Sequence, residues 1–185
     1  MNDFMSAWAH FYPNCPPISH ELKYAEPDRW LRFHYVPASA GRVARADALA
    51  AAFHIMNTAA SQVLGNGSAC WLAGPLYSPD DITHAGHVAL YQRLNMPKVG
   101  YLKLPDDGGD VDIHAALVTW EPSRFDDVLR LIENDEAHVM WMCVETGAVF
   151  APYDRGVDLI LPTVGEVSRL AYEHRDWLSS YPGGW

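Results

Sequence analysis

Asp154 and Asp158 flank Arg155-Gly156 at the entry to a hydrophobic stretch. Two carboxylates at one strand end are the donor set for a divalent cation, or for a general acid and base. An Asp beside Gly is equally the ordinary chemistry of a turn. Two unpaired acids held close repel and raise one pKa, so a resting pair without metal or counter-ion is unfavourable. These residues lead to a structural role for Tyr153, Asp154 and Asp158, with Arg32 or Arg155 as the cationic partner and no metal between the carboxylates. The catalytic alternative is a small hydrolase-like enzyme in which Arg32, His34, Asp154 and Asp158 converge at strand ends.

Other chemistry-bearing groups are weaker. His84 and His87 stand three apart with Tyr91 one turn further, a spacing at which two imidazoles can share a metal, but no third ligand is identifiable nearby. His54, His114, His138 and His174 fall in or beside apolar stripes, where structural histidines are expected. The acids from Asp106 to Asp112 miss the calcium-loop pattern, because their glycines precede the last two acids. No G-x-S-x-G elbow occurs. Gly65-Asn66-Gly67-Ser68 lacks the lysine of a phosphate loop and follows a helix instead of preceding one. Cys143 and Cys70 lie in apolar company, the setting of a buried, inert thiol, and nothing marks Cys15 as activated. The expectation is a chain without resident metal or cofactor.

The chain has 185 residues, 49% hydrophobic and 19% charged, which suits a folded domain with a real core and excludes a wholly disordered one. No apolar run approaches the roughly 18 residues of a membrane span. Thirteen Lys and Arg against 23 Asp and Glu give a net charge of −10, which argues against nucleic acid, since phosphate binding needs a basic face. The excess is uneven. Ten acids (Asp106, Asp107, Asp110, Asp112, Glu121, Asp126, Asp127, Glu133, Asp135 and Glu136) stand against Arg124 and Arg130, so this window carries −8 of the −10. A solvated face that keeps the chain soluble accounts for it, and so does a docking surface for a basic protein partner. The docking reading rests on Asp106, Asp107, Asp110, Asp126, Asp127, Glu133, Asp135 and Glu136 as one exposed face centred on a helix over Pro122–Asp135. Three widely spaced cysteines and a start without a signal-peptide pattern point to a reduced, cytoplasmic protein.

The elements that must position these residues follow from spacing. Phe4, Trp8 and Phe11 mark a short helix that Pro13 ends, and the stretch to Pro27 is too proline-rich to continue it. Trp30–Val36 alternates as a strand. Leu49, Phe53, Met56, Ala60 and Val63 form one stripe of a helix over 45–64, stopped by Gly65-Asn66-Gly67. Ala69–Leu76 reads as a buried strand, and Ser78-Pro79-Asp80-Asp81 opens a helix through Arg93. Val99–Leu104 and Val111–Trp120 read as a hairpin across Asp106–Gly109. Pro122 opens a helix with Phe125, Val128, Leu129 and Ile132 inward. His138–Val144 pairs with Ala148–Ala151 across Thr146-Gly147, and Val157–Leu161 follows as a strand. A capping box at Thr163–Glu166 starts the last helix, with a stripe of Val164, Val167, Ala171 and Leu178 flanked by Leu170 and Trp177, ending at Pro182-Gly183. The sum is an α+β chain: a largely antiparallel sheet of about six or seven strands with about four helices packed against it. One domain over 1–185 is expected, with residues 1–29 as a helix and proline-rich loop packed on it.

Three segments carry a resemblance: Trp30-Leu31-Arg32-Phe33-His34, Ala151–Asp158 (Ala-Pro-Tyr-Asp-Arg-Gly-Val-Asp) and Trp177-Leu178-Ser179. Together they resemble a bacterial family classed as a domain of unknown function, whose members carry W-L-R-[FI]-H early and P-Y-D-x-G-x-D with W-L-S late. The likeness runs from Pro27 to Gly183, and Trp30, Arg32, His34, Tyr153, Asp154, Asp158 and Trp177 are its motif residues. The chain departs from the pattern at Arg155, where a second glycine is common, and over Ala38–Arg45. The resemblance implies no established activity; it suggests company with contact-dependent toxin systems, in which small acidic cytoplasmic proteins neutralise a toxin. The leading expectation is thus a non-catalytic protein that binds a basic toxin domain stoichiometrically and touches neither nucleic acid nor membrane.

Overall fold

The computed structural model describes residues 3–35, 45–77, 84–103 and 109–178. Its strands are β1 (Trp30–His34), β2 (Ala69–Leu76), β3 (Lys98–Lys103), β4 (Asp110–Thr119), β5 (Met140–Cys143), β6 (Val149–Tyr153) and β7 (Gly156–Ile160). They make one sheet in the order β1-β7-β6-β5-β2-β4-β3, and every neighbouring pair is antiparallel. The helices are α1 (Phe4–Phe11), α2 (Leu22–Ala25), α3 (Arg45–Leu64), α4 (His84–Arg93), α5 (Asp126–Glu133) and α6 (Val164–Glu173). The α+β class holds. Among the described residues six helices stand against the expected four, and α2 falls in the proline-rich stretch expected to be loop, where fully buried Leu22 anchors it. The expected opening of α4 at Ser78 lies outside the described residues.

Alternation along the strands divides the apolar residues between two faces. One face buries Phe33, Cys70, Leu72, Trp141, Cys143, Phe150, Val157 and Leu159 under α3, α5, Leu90 of α4 and Leu170 of α6. The other buries Ile113, Ala115, Met140, Met142, Val149 and Ile160 under Phe4, Trp8, Tyr12 and Leu22. On the first face, Ala52, Met56, Ala59 and Ala60 bring α3 down onto the sheet, so its buried stripe is rotated from the expected line and leaves Leu49 and Phe53 at the margin. On the second face, Asp3 caps α1 by accepting from the Ser6 amide at 2.8 Å. Tyr12 donates to the Gly147 carbonyl, and Gly147, with φ +70°, has Phe11 packed against it. A side chain at 147 would meet both a disfavoured backbone region and the Phe11 ring.

Two helix boundaries differ from the sequence expectation. Pro122 lies in a turn and α5 begins at Asp126. The Asn57 side chain accepts from the Ser123 amide at 2.7 Å and donates to Asp126 at 2.8 Å, fixing the turn at Ser123 (φ +64°) before the helix. The last helix ends at Glu173, not at Pro182-Gly183. Its chain leaves at His174 so that Trp177, in a 3-10 turn over Arg175–Trp177, stacks on His174 at 3.9 Å and meets Phe33 edge-on at 5.5 Å. The inward side of α6 is also rotated: Leu170 is its one fully buried residue, Val167 and Ala171 are half-buried, and Val164 is 54% exposed. Leu170→Ala should therefore destabilise the protein by about 2–5 kcal/mol, whereas Val164→Ala should stay within about 0.5 kcal/mol of the parent. Urea unfolding midpoints of the two variants check this, and equal losses would contradict the observed helix rotation.

Candidate functional site

Five of the seven residues that carry the resemblance, Trp30, Arg32, His34, Tyr153 and Asp158, meet on one face of β1, β7 and β6, while Trp177 packs against Phe33 on the other face. In the β1–β7 register Arg32 faces Asp158 and His34 faces Gly156, while β6 places Ala151 opposite Asp158 and Tyr153 opposite Gly156. Residues separated by two point to the same side of a strand. Trp30, Arg32 and His34 therefore share a face with Asp158 and Tyr153, the face that α1 covers further along the sheet.

Arg32 and Asp158 form a two-point fork: Nε donates to Oδ1 at 2.6 Å and Nη2 to Oδ2 at 2.8 Å. Their side chains are 14% and 7% exposed, so the pair is removed from water. The guanidinium also lies between two aromatic rings, 5.0 Å from Trp30 and 5.2 Å from Tyr153. Its hydrogen bond to Asp158 raises the Arg32 pKa further above an already high value. Tyr153 folds across Gly156: a Cβ there would lie 2.6 Å from the tyrosine hydroxyl and against the Phe33 carbonyl. The phenol is pushed up to about 12 by burial, with Arg32 pulling the other way. Tyr35, at the end of β1, donates to the Tyr153 carbonyl. Burial, reinforced by Asp154 and Glu133, holds the Tyr35 phenol well above its usual range.

The fork decides what the group can do chemically. A carboxylate with both oxygens occupied by guanidinium donors is not free to meet a substrate, and an arginine so engaged is poorly placed to grip one. Asp154 does not join it; it sits in the β6–β7 turn beside Arg155, 3.3 Å away on the surface. The counter-ion of Asp158 is thus Arg32, and Arg155 serves Asp154. Among the described residues no three His, Cys, Asp or Glu side chains stand together in a metal-binding arrangement.

The histidines are built into packing. His87 is buried, stacks on Tyr91 and accepts from the His138 amide at 2.9 Å through Nε2. His114 lies against the other side of Tyr91, with Nδ1 2.9 Å from the Met96 carbonyl. The side chain of His84 lies outside the described residues.

The acids of the −8 window do not make one bare face. Asp106 and Asp107 lie outside the described residues. Asp110 opens β4, and ten residues of strand, about 30 Å, separate it from the chain that leads into α5. Asp112 pairs with Lys98 at 2.6 Å, Glu121 with Arg124 at 3.5 Å, and Asp127 with Arg93. Asp126 is engaged with Asn57, and Asp135 lies 3.0 Å from His138. Among the described residues around α5, Glu133 at its C-terminal end and Glu136 just beyond are the acids with no side-chain hydrogen bond or ion pair. Sequence spacing reveals this helix but not its partners: Arg93 and Asn57 come from other elements, as does Lys98 for Asp112.

Arg32→Ala or Asp158→Ala alone should cost about 3–5 kcal/mol, because each strands a buried charge. Replacing both, as Arg32→Met with Asp158→Leu, should recover most of that loss. Urea unfolding of the three variants decides it; additive single losses in the double variant would mean that the two charges are not coupled.

No curated protein and no solved structure matches the chain significantly. A family model does match, over residues 18–182, and it spans all seven strands and every motif residue of the fork. The chain therefore belongs to the DUF3885 family, a domain of unknown function.

Proposed function

We propose that the protein acts by stoichiometric binding of a basic protein partner, with neutralisation of a cognate bacterial toxin in the cytoplasm as the leading case. One observation carries the reading. Glu133, Asp135 and Glu136 cluster at the C-terminal end of α5, where the helix dipole is negative and acids are unfavourable, while Val128, Leu129 and Ile132 pin the helix to the core. A rigid helix that keeps like charge at its negative end gains from a cationic partner, which offsets both repulsions. Asp154 adds to this field, since it and Glu133 both act on Tyr35. Complementary charge chiefly speeds association.

The roles of the acids divide accordingly. Asp126 and Asp127 are engaged with Asn57 of α3 and Arg93 of α4 and are not offered to the partner. Glu133, Asp135 and Glu136 meet the partner. The hydrolase-like alternative would need Arg32 and Asp158 released from each other.

Retention of a partner from the native bacterium, followed by binding kinetics across a salt series, tests the proposal. Glu133→Gln with Asp135→Asn and Glu136→Gln should slow association several-fold at low salt, with stability changed by under about 0.5 kcal/mol per exposed substitution. The difference should shrink as salt screens charges beyond roughly 10 Å at 0.1 M. Equal association rates for both forms at low salt would reject the acidic surface, and turnover of a small molecule by the purified chain would favour the hydrolase-like alternative.

A further inference from the structure

We propose that Cys70 and Cys143 are a reversible cross-strand dithiol/disulfide pair, a modification site at the centre of the sheet that reacts with small external disulfides. The two residues are direct partners in the β2–β5 register, and both point to the α3 side of the sheet. Their backbone geometry is the favourable one. The Cys143 amide donates away from β2, to the Ala148 carbonyl at 2.9 Å, and the Cys143 carbonyl accepts from Gly147 at 3.0 Å. The next pair along does bond across the strands, with the Val144 amide donating to Ala69 at 3.0 Å. Cys70 and Cys143 therefore form a non-hydrogen-bonded antiparallel pair, whose Cα atoms lie about 4.5 Å apart with side chains closest. That separation is at the short end of the disulfide range of about 4.4–6.8 Å, so a bridge fits without moving the strands apart and is strained.

The chemistry of the two thiols differs. The Cys143 thiol is lowered, first by a hydrogen bond from Cys70 and then by donors in the Glu145–Thr146 turn, against the effect of burial. The Cys70 thiol is pushed far up by the same bond and by burial. Position beside an exposed turn makes Cys143 the thiol that reacts first and Cys70 the one that resolves. Cys143 adjoins Val144, Glu145 and Thr146, all exposed, so a small reagent reaches it by displacing one turn. The Cys143 thiolate attacks one sulfur of the external disulfide and expels a thiolate, forming a mixed disulfide. Cys70 then attacks the Cys143 sulfur, and its proton goes to the second departing thiolate. The pair loses two electrons, and the oxidant is reduced to two thiols. Strained bridges of this kind are the more readily reduced ones, which suits a reversible change in a reducing compartment. Cys15 is the internal control: it lies on the other face, and burial raises it to about 11.

The test is a glutathione redox series on the native wild-type chain, with alkylation of the remaining thiols, mass measurement and peptide mapping. Two of the three thiols should disappear together and reappear on reduction, the Cys70 and Cys143 peptides should be joined, and Cys15 should stay a thiol. Tryptophan emission should fall in parallel, because Trp120 and Trp141 adjoin the pair. Cys70→Ser should trap Cys143 as a mixed disulfide with glutathione, and Cys15→Ser should behave as wild type. Survival of all three thiols at the most oxidising poise, or bridging through Cys15 or between chains, overturns the proposal on the wild-type protein alone.

Discussion

The sheet hangs on four residue pairs between β2 and β5. On one side of that seam β4 and β3 pair outward from β2; on the other β6, β7 and β1 pair outward from β5. Among the described residues no other strand pairing joins the two halves. The seam unites segments far apart in the chain, so the loop-closure cost falls on it before the pairing gains anything. What secures it is aromatic. Trp120, delivered by the end of β4, meets Trp141 of β5 edge-on at 5.7 Å and Phe150 of β6 at 5.6 Å, and Phe125 meets Trp141 at 5.5 Å. Such pairs add about 0.5–1.5 kcal/mol each beyond their burial, and here they span the seam.

The Arg32–Asp158 fork works on register more than on stability. Buried ion pairs rarely outdo apolar residues of the same volume. A one-residue slip of β1 against β7, however, would turn every β1 side chain to the opposite face. Arg32 would then enter the layer that holds Phe33, Val157 and Leu159 beneath Trp177 and Leu170, with no carboxylate to meet it. The fork therefore makes one alignment of β1 far better than its neighbours, and Tyr153 over Gly156 completes that alignment from β6. The segments Trp30–His34 and Ala151–Asp158 read, in physical terms, as the specification of three strands and a turn.

Local features were legible in the sequence, and long-range ones were not. The capping box at Thr163, the stripe of α5 and the β5–β6–β7 run each depend on residues within one or two turns, so spacing reveals them. Arg32 as the partner of Asp158 was within reach because Arg32 and Arg155 are the two arginines inside the quoted segments. The Cys70–Cys143 juxtaposition was invisible, since each cysteine alone is one more apolar residue in an apolar strand. The acids misled in the same way: net charge along the chain says nothing about Arg93 or Lys98 arriving from elsewhere to neutralise it. The turn of α6 onto Leu170 reflects Trp177, whose packing on His174 and Phe33 overrides the stripe that the helix carries.

Both outer strands of the sheet are blunted, each by its own means. β3 carries lysines at both ends and a register irregularity between Lys98 and Gly100, and β1 is bridged at Phe33 by Leu178 from the segment after α6. A free strand edge is a template for another chain's backbone, and charge, irregularity and cover each spoil the template. Both edges thereby offer a poor template for strand addition, so growth by backbone pairing is disfavoured at either end of the sheet.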